Sequence, residues 1–181
     1  MDAYSLGKAT GVVFGLLLGV LIVVVLTRFA NKNRKLKTDY DERQEIARGK
    51  GFKVAFYSMV GYSVINLILA LADLPLPMEP AVQAFSYLAI GVMVDIIYCI
   101  WNDCYWGMNN NKKKYIIFML AAGLLNLIVP IRAALADTLV VNGALSTPGI
   151  NLMCSVILLA TAVITTAKAI RESKSSDMEE E

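Results

Sequence analysis

Five stretches of this chain, residues 9–27, 54–72, 80–102, 115–131 and 149–167, contain a single formal charge between them, Asp95. That pattern constrains the fold more than any motif. A helix of about 19 residues, rising about 1.5 Å per residue, matches a hydrocarbon core of ~30 Å. Helices apolar all round are at home in lipid or in the centre of a large protein, and five in a row leave almost no chain from which to build a soluble shell. Composition agrees: 57% of residues are hydrophobic and 18% charged, against roughly 45–50% and about 25% in soluble domains. The sequence reads as an all-α polytopic membrane helix bundle with five transmembrane helices, over about residues 9–29, 52–72, 80–102, 115–136 and 149–170.

Lysine and arginine give the bundle a direction. Nine lie between residues 28 and 53, three more at 112–114, and the last three are Lys168, Arg171 and Lys174. Across five alternating spans these fall on one side, and only Lys8 and Arg132 fall on the other. Positive charge is held on the cytoplasmic face, so the N-terminus is expected outside and the C-terminus inside. Trp101, Tyr105, Trp106 and Tyr115 gather at the inner boundary, where amphipathic rings belong. Pro75, Pro77 and Pro80 punctuate the outer turn, and Pro148 with Gly149 opens the fifth span.

A cleaved signal peptide needs its basic flank before the apolar run. Here that flank follows the run, so residues 1–30 read as an uncleaved anchor. Residues 1–172 form one membrane-embedded domain in this reading, with a short helix in a cytoplasmic loop at 30–51. Residues 173–181, ending in three glutamates, form a disordered cytoplasmic tail. The expected setting is the cell membrane, with the lipid bilayer as first partner. The net charge of +2 sits beside helix ends and suits headgroups, not nucleic acid.

Chemistry is narrowed by what the chain lacks. Without histidine there is no His-based zinc site, imidazole proton shuttle or Ser–His triad. Cys99, Cys104 and Cys154 are odd in number and include no CxxC, so neither a disulfide framework nor a metal site is expected. No cofactor is implied. An intramembrane enzyme would have only Asp95 with Tyr98 or Cys99, which is no catalytic constellation.

Three features remain. Gly7, Gly11, Gly15 and Gly19 repeat every fourth residue of the first span, making one smooth edge along which another helix backbone can approach. It suits another helix of the chain, a second copy, or a membrane partner. Asp95 lies on a stripe with Gln83, Tyr87, Gly91, Tyr98 and Asn102. Buried carboxylates face protein or water, so this stripe marks either an ion or polar-substrate path or an interhelical hydrogen bond. Counting inward from the basic ends puts Tyr62 and Thr161 at the depth of Asp95. The same count puts Asn66 and Asn126 at one mid-bilayer level, where helices two and four are expected to touch. Pro130 is expected to kink the fourth helix, and Arg132 to reach the outer headgroups.

The third feature is the loop before the second span. Thr38 or Asp39 is positioned to cap a short helix with Asp41 and Glu42 in its first turn, Asp39–Arg43 and Glu45–Arg48 as ion pairs, and Gly49 and Gly51 as a hinge. Asp41, Glu42, Arg43, Gln44, Arg48 and Lys50 offer a docking surface for a cytoplasmic partner or for lipid headgroups. The run Asp41-Glu42-Arg43-Gln44, followed by Arg48-Gly49-Lys50-Gly51-Phe52-Lys53, resembles a juxtamembrane motif in small multi-helix membrane proteins of Gram-positive bacteria, families of unknown function. The resemblance implies a bacterial membrane protein and no activity.

Together these features point to an accessory or regulatory membrane protein that packs against a partner through the glycine edge and the charged loop. The alternative is a small oligomeric transporter or channel using Asp95. The polar candidates inside the membrane are Asp95, Tyr98, Tyr62, Thr161, Asn66 and Asn126.

Overall fold

The computed structural model describes residues 3–30, 39–108 and 110–179. They are mostly helical: α1 (Ala3–Ala30), α2 (Glu42–Leu71), α3 (Pro80–Trp101), α4 (Lys112–Leu135) and α5 (Gly149–Glu179), with a hairpin of β1 (Val140–Val141) and β2 (Ala144–Leu145) between the last two helices. Among the described residues four helices, α2 to α5, are long and apolar enough to cross a membrane, the makeup of a helical membrane protein.

The single domain expected for 1–172 divides into two compact units, Met1–Asp39 and Tyr40–Glu181. In the first, α1 is one 28-residue helix. An added Cβ at Gly7, Gly11, Gly15 or Gly19 meets nothing within 4 Å.

In the second unit, α2 begins at a capping box. The Asp41 carboxylate accepts from the Gln44 N–H (2.6 Å), and the Asp41 N–H donates to the Gln44 side chain (3.3 Å). Asp41 therefore takes the capping role expected of Thr38 or Asp39; Thr38 lies outside the described residues. The expected hinge at Gly49 and Gly51 is also absent from this helix, which runs unbroken for 30 residues. Glycine costs a helix about 1 kcal/mol, but Gly51 is buried against α3. Close packing of the two backbones offsets that cost. The short loop helix expected at 30–51 is, from Glu42 onward, the first turns of α2.

Helices α2, α3 and α4 stop in the same way. Each is followed by an Asp with positive φ: Asp73 (56°), Asp103 (56°) and Asp137 (53°). The next N–H then reaches back five residues to a carbonyl, Leu74 to Leu69 (2.9 Å), Cys104 to Cys99 (2.9 Å) and Thr138 to Ala133 (2.8 Å). This is the Schellman ending, with Asp in the left-handed position more often held by Gly. Helix α4 carries buried Pro130 inside it and continues to Leu135. Helix α5 extends past 170 to Glu179, where a disordered tail was expected from residue 173. A Lys168–Glu172 pair (3.5 Å, i,i+4) supports its last described side chains, and residues 173–179 include neither Gly nor Pro to stop it.

The neighbours are α2 with α3, α3 with α5, and α5 with α4, which makes an open row, α2-α3-α5-α4. In the α4–α5 seam, buried Ser155 donates to the Gly123 carbonyl (2.8 Å), and a Cβ on Gly123 would lie 2.8 Å from Leu159. One end of the row is tied by the hairpin. Asn142 (φ 51°) and Gly143 (φ 77°) form its two-residue turn, as an Asn-Gly pair favours. Leu145 then exchanges backbone bonds with the α2–α3 turn, donating to Pro77 (2.8 Å) and accepting from Glu79 (2.9 Å). The Glu79 carboxylate also accepts from both the N–H and the hydroxyl of Thr147, each at 3.0 Å.

Candidate functional site

The polar stripe of α3 is spent along its seam with α2. Gln83 donates to the Asn66 side chain (3.4 Å), and the Tyr62 hydroxyl meets the Ser86 hydroxyl (3.1 Å). The Tyr62 and Tyr87 rings stand edge to face, 5.4 Å apart. Gly91 takes the Met59 thioether against its backbone. Half-buried Asp95 faces Gly51, whose added Cβ would lie 2.7 Å from the carboxylate, 3.1 Å from Tyr98 and 3.2 Å from the Cys99 sulfur. The Cys99 thiol donates to that carboxylate at 3.5 Å.

Several depth expectations change accordingly. Asp95 is level with Gly51, not with Tyr62, which meets Ser86, because α2 begins well before the basic residue from which depth was counted. Thr161 is 1% exposed, and its hydroxyl donates to Ile157 of its own helix (2.7 Å). Asn126 likewise bonds Ala122 of its own helix (2.9 Å), and Asn66 bonds Tyr62 (2.9 Å) besides Gln83. The expected meeting of Asn66 and Asn126 does not occur, since α2 packs on α3 while α4 packs on α5. A shared depth says which residues are level, not which helices are neighbours.

The other end of the row, opposite the hairpin, is built on the segment joining α3 to α4. Gln44 donates to the carbonyls of Asp103 (2.7 Å) and Trp106 (3.2 Å). Arg48 donates to the Tyr40 hydroxyl (2.9 Å) and to the Cys104 carbonyl (3.3 Å), with its guanidinium 4.3 Å from the Tyr40 ring centre. Lys168 of α5 donates to the carbonyls of Ile100 (2.7 Å) and Trp101 (3.3 Å) and to the Asp103 carboxylate (2.5 Å). Lys168 of α5 thus serves carbonyls at the end of α3, while Gln44 and Arg48 of α2 serve carbonyls of the segment beyond it. Burial raises the Tyr105 phenol above its ordinary range; Cys99, Tyr40 and Asp95 act the same way and Arg48 opposes them. The phenol stays protonated at neutral pH.

Of the loop residues singled out from sequence, Asp41, Gln44 and Arg48 therefore work within the chain. Glu42, Arg43 and Lys50 are exposed, and Arg43 and Lys50 line a shallow cleft with Tyr98 and Asn102.

Beside the Lys168 cluster lies a cavity of about 260 Å³, lined by Gln44, Asp103, Trp106, Lys112, Thr165 and Lys168 among others. Sequence reasoning placed Trp106 only as an interfacial ring and did not single out Thr165. Among the described residues two side-chain polar atoms are buried without a hydrogen-bond partner, Trp106 Nε1 and Thr165 Oγ1, and both residues line this cavity. Comparison with protein-family models, with curated proteins and with solved structures finds no match to this chain.

Proposed function

We propose that this chain is an integral membrane accessory or regulatory protein, without a catalytic step of its own. In this reading it docks on a membrane partner, or on a second copy, through the glycine edge of α1 and the charged face at the start of α2. The observation that carries the reading is the open row α2-α3-α5-α4. The polar groups along the α2–α3 seam of this row are used to hold two helices together. The edge of Gly7, Gly11, Gly15 and Gly19 along α1 adds a surface made for close backbone approach. Since Asp41, Gln44 and Arg48 bond within the chain, Glu42, Arg43 and Lys50 are left to face a partner or headgroups. Five spans with the N-terminus out and the C-terminus in, in a bacterial cytoplasmic membrane, complete the proposal. The charge asymmetry and the resemblance of the loop motif support it.

Copurification from the native membrane in mild detergent tests the docking. A partner or second copy is expected to coelute, to be lost on Gly15→Leu, and to survive Gly61→Leu, another helical glycine with open space around it. A lone monomer unaffected by Gly15→Leu would sink the reading. The alternative, a small oligomeric transporter using Asp95, requires an ion or proton flux in liposomes that Asp95→Asn abolishes. We expect no such flux.

Direction is tested separately with a membrane-impermeant thiol reagent on intact cells. Asp137→Cys and a tag at the N-terminus should be reached from outside, and Met108→Cys only after lysis. The reverse pattern would overturn the orientation.

A further inference from the structure

The cavity at the α3–α4 connection has a wall of unused donors. The Trp106 indole N–H can only donate, so the group it lacks is an acceptor. Thr165 is 5% exposed, lines the cavity, and has a hydroxyl with no partner in the protein. A buried donor left unpaired is costly, and native structures seldom keep one without a reason. The indole is held in place by its neighbours: its ring lies 4.7 Å from that of Tyr105 and 5.2 Å from that of Tyr115. Lys112, the first residue of α4, brings an exposed ammonium to the same cavity. Lys168, by contrast, has its three donors engaged by two carbonyls and Asp103, with Glu172 close by.

The donors ask for an anionic acceptor, and the carboxylates limit its charge. Asp103 and Glu172 both line the cavity beside the one ammonium of Lys168. They would repel a free phosphate dianion more than a singly charged diester. Packed aromatic rings next to Lys112, Lys113 and Lys114 are what a chain presents at headgroup depth. We propose that this cavity binds the phosphodiester of a membrane phospholipid headgroup, taken by the Trp106 N–H, the Thr165 hydroxyl and the Lys112 ammonium. The lipid source rests on the membrane reading above; the phosphate chemistry rests on the donors alone.

The test follows the ¹⁵N-labelled indole N–H of Trp106 by NMR, in a Trp101→Phe background, in maltoside micelles that carry no phosphate. Titration with short-chain phosphatidylglycerol and phosphatidylethanolamine is expected to move this resonance downfield and to saturate. Inorganic phosphate at the same concentrations should leave it in place. Loss of one hydrogen bond to a charged group predicts an affinity about tenfold weaker in Thr165→Val. Should that variant fail to fold, Lys112→Gln at the exposed rim carries the test, with a weakening of the same sense. An indole that no phospholipid moves, or that responds equally in the variants, overturns the proposal. A response to inorganic phosphate alone overturns the lipid source. Inverted thiol labelling would instead overturn the orientation without moving this resonance, so the two failures are distinguishable.

Discussion

Gly51→Leu is expected to lower the unfolding free energy by about 3 kcal/mol or more, read from denaturant or thermal unfolding in micelles. The first added carbon alone would stand 2.7 Å from the Asp95 carboxylate and 3.1 Å from the Tyr98 ring. Neither can retreat easily: Asp95 is a short side chain bonded to Cys99, and Tyr98 stands one turn along the same helix. The helices would have to separate, and the bonds of Gln44 and Arg48 to the loop would stretch with them. A helix gains up to about 1 kcal/mol whenever glycine is replaced, so the sign at each glycine reports the space around it. Gly91→Ala meets Met59, a flexible thioether that can rotate away, and should fall within about 1 kcal/mol of neutral. Gly61→Leu meets nothing and should be neutral or slightly stabilising. If Gly51→Leu and Gly61→Leu unfold alike, the α2–α3 seam described here is wrong.

This contrast also marks what was readable from sequence. An apolar run long enough for lipid declares itself whatever lies beside it, so the stretches 54–72, 80–102, 115–131 and 149–167 each fall almost wholly within α2, α3, α4 and α5. Helix order has no such signature. Asn66 and Asn126 look alike as buried amides, yet each satisfies itself by bonding its own helix four residues back. Asp95 was conspicuous as a lone charge, while its neighbour Gly51 looked like a hinge because both uses of glycine look the same in one sequence. The destinations of Gln44, Arg48 and Lys168 were hidden for another reason. They bond backbone carbonyls, which every residue has and no residue type announces. The hairpin does carry a signal, Asn142-Gly143 between Val140-Val141 and Ala144-Leu145, which the search for apolar spans and charges does not register.

The α3–α5 contact yields the second large effect. Lys168→Met should cost about 2 kcal/mol, and Asp103→Asn distinctly less. Lys168 keeps only 19% of its side chain exposed and serves two carbonyls at the end of α3, whereas the Asp103 side chain is 57% exposed. Hydrogen bonds from a charged group contribute roughly 1.5–3 kcal/mol, but an exposed ion pair typically contributes about 0.2–1 kcal/mol and is screened by salt. Methionine preserves the apolar stem and removes only the ammonium, so the loss reports its bonds to the carbonyls of Ile100 and Trp101. If the ion pair dominated, the two variants would be equally damaged and high salt would destabilise the parent protein. If the carbonyls dominate, Lys168→Met stands apart and high salt changes little. The outcome bears on the whole row. Lys168 reaches the end of α3 only because α5 lies between α3 and α4, and Lys168→Met unfolding like the parent would remove that order's main polar support.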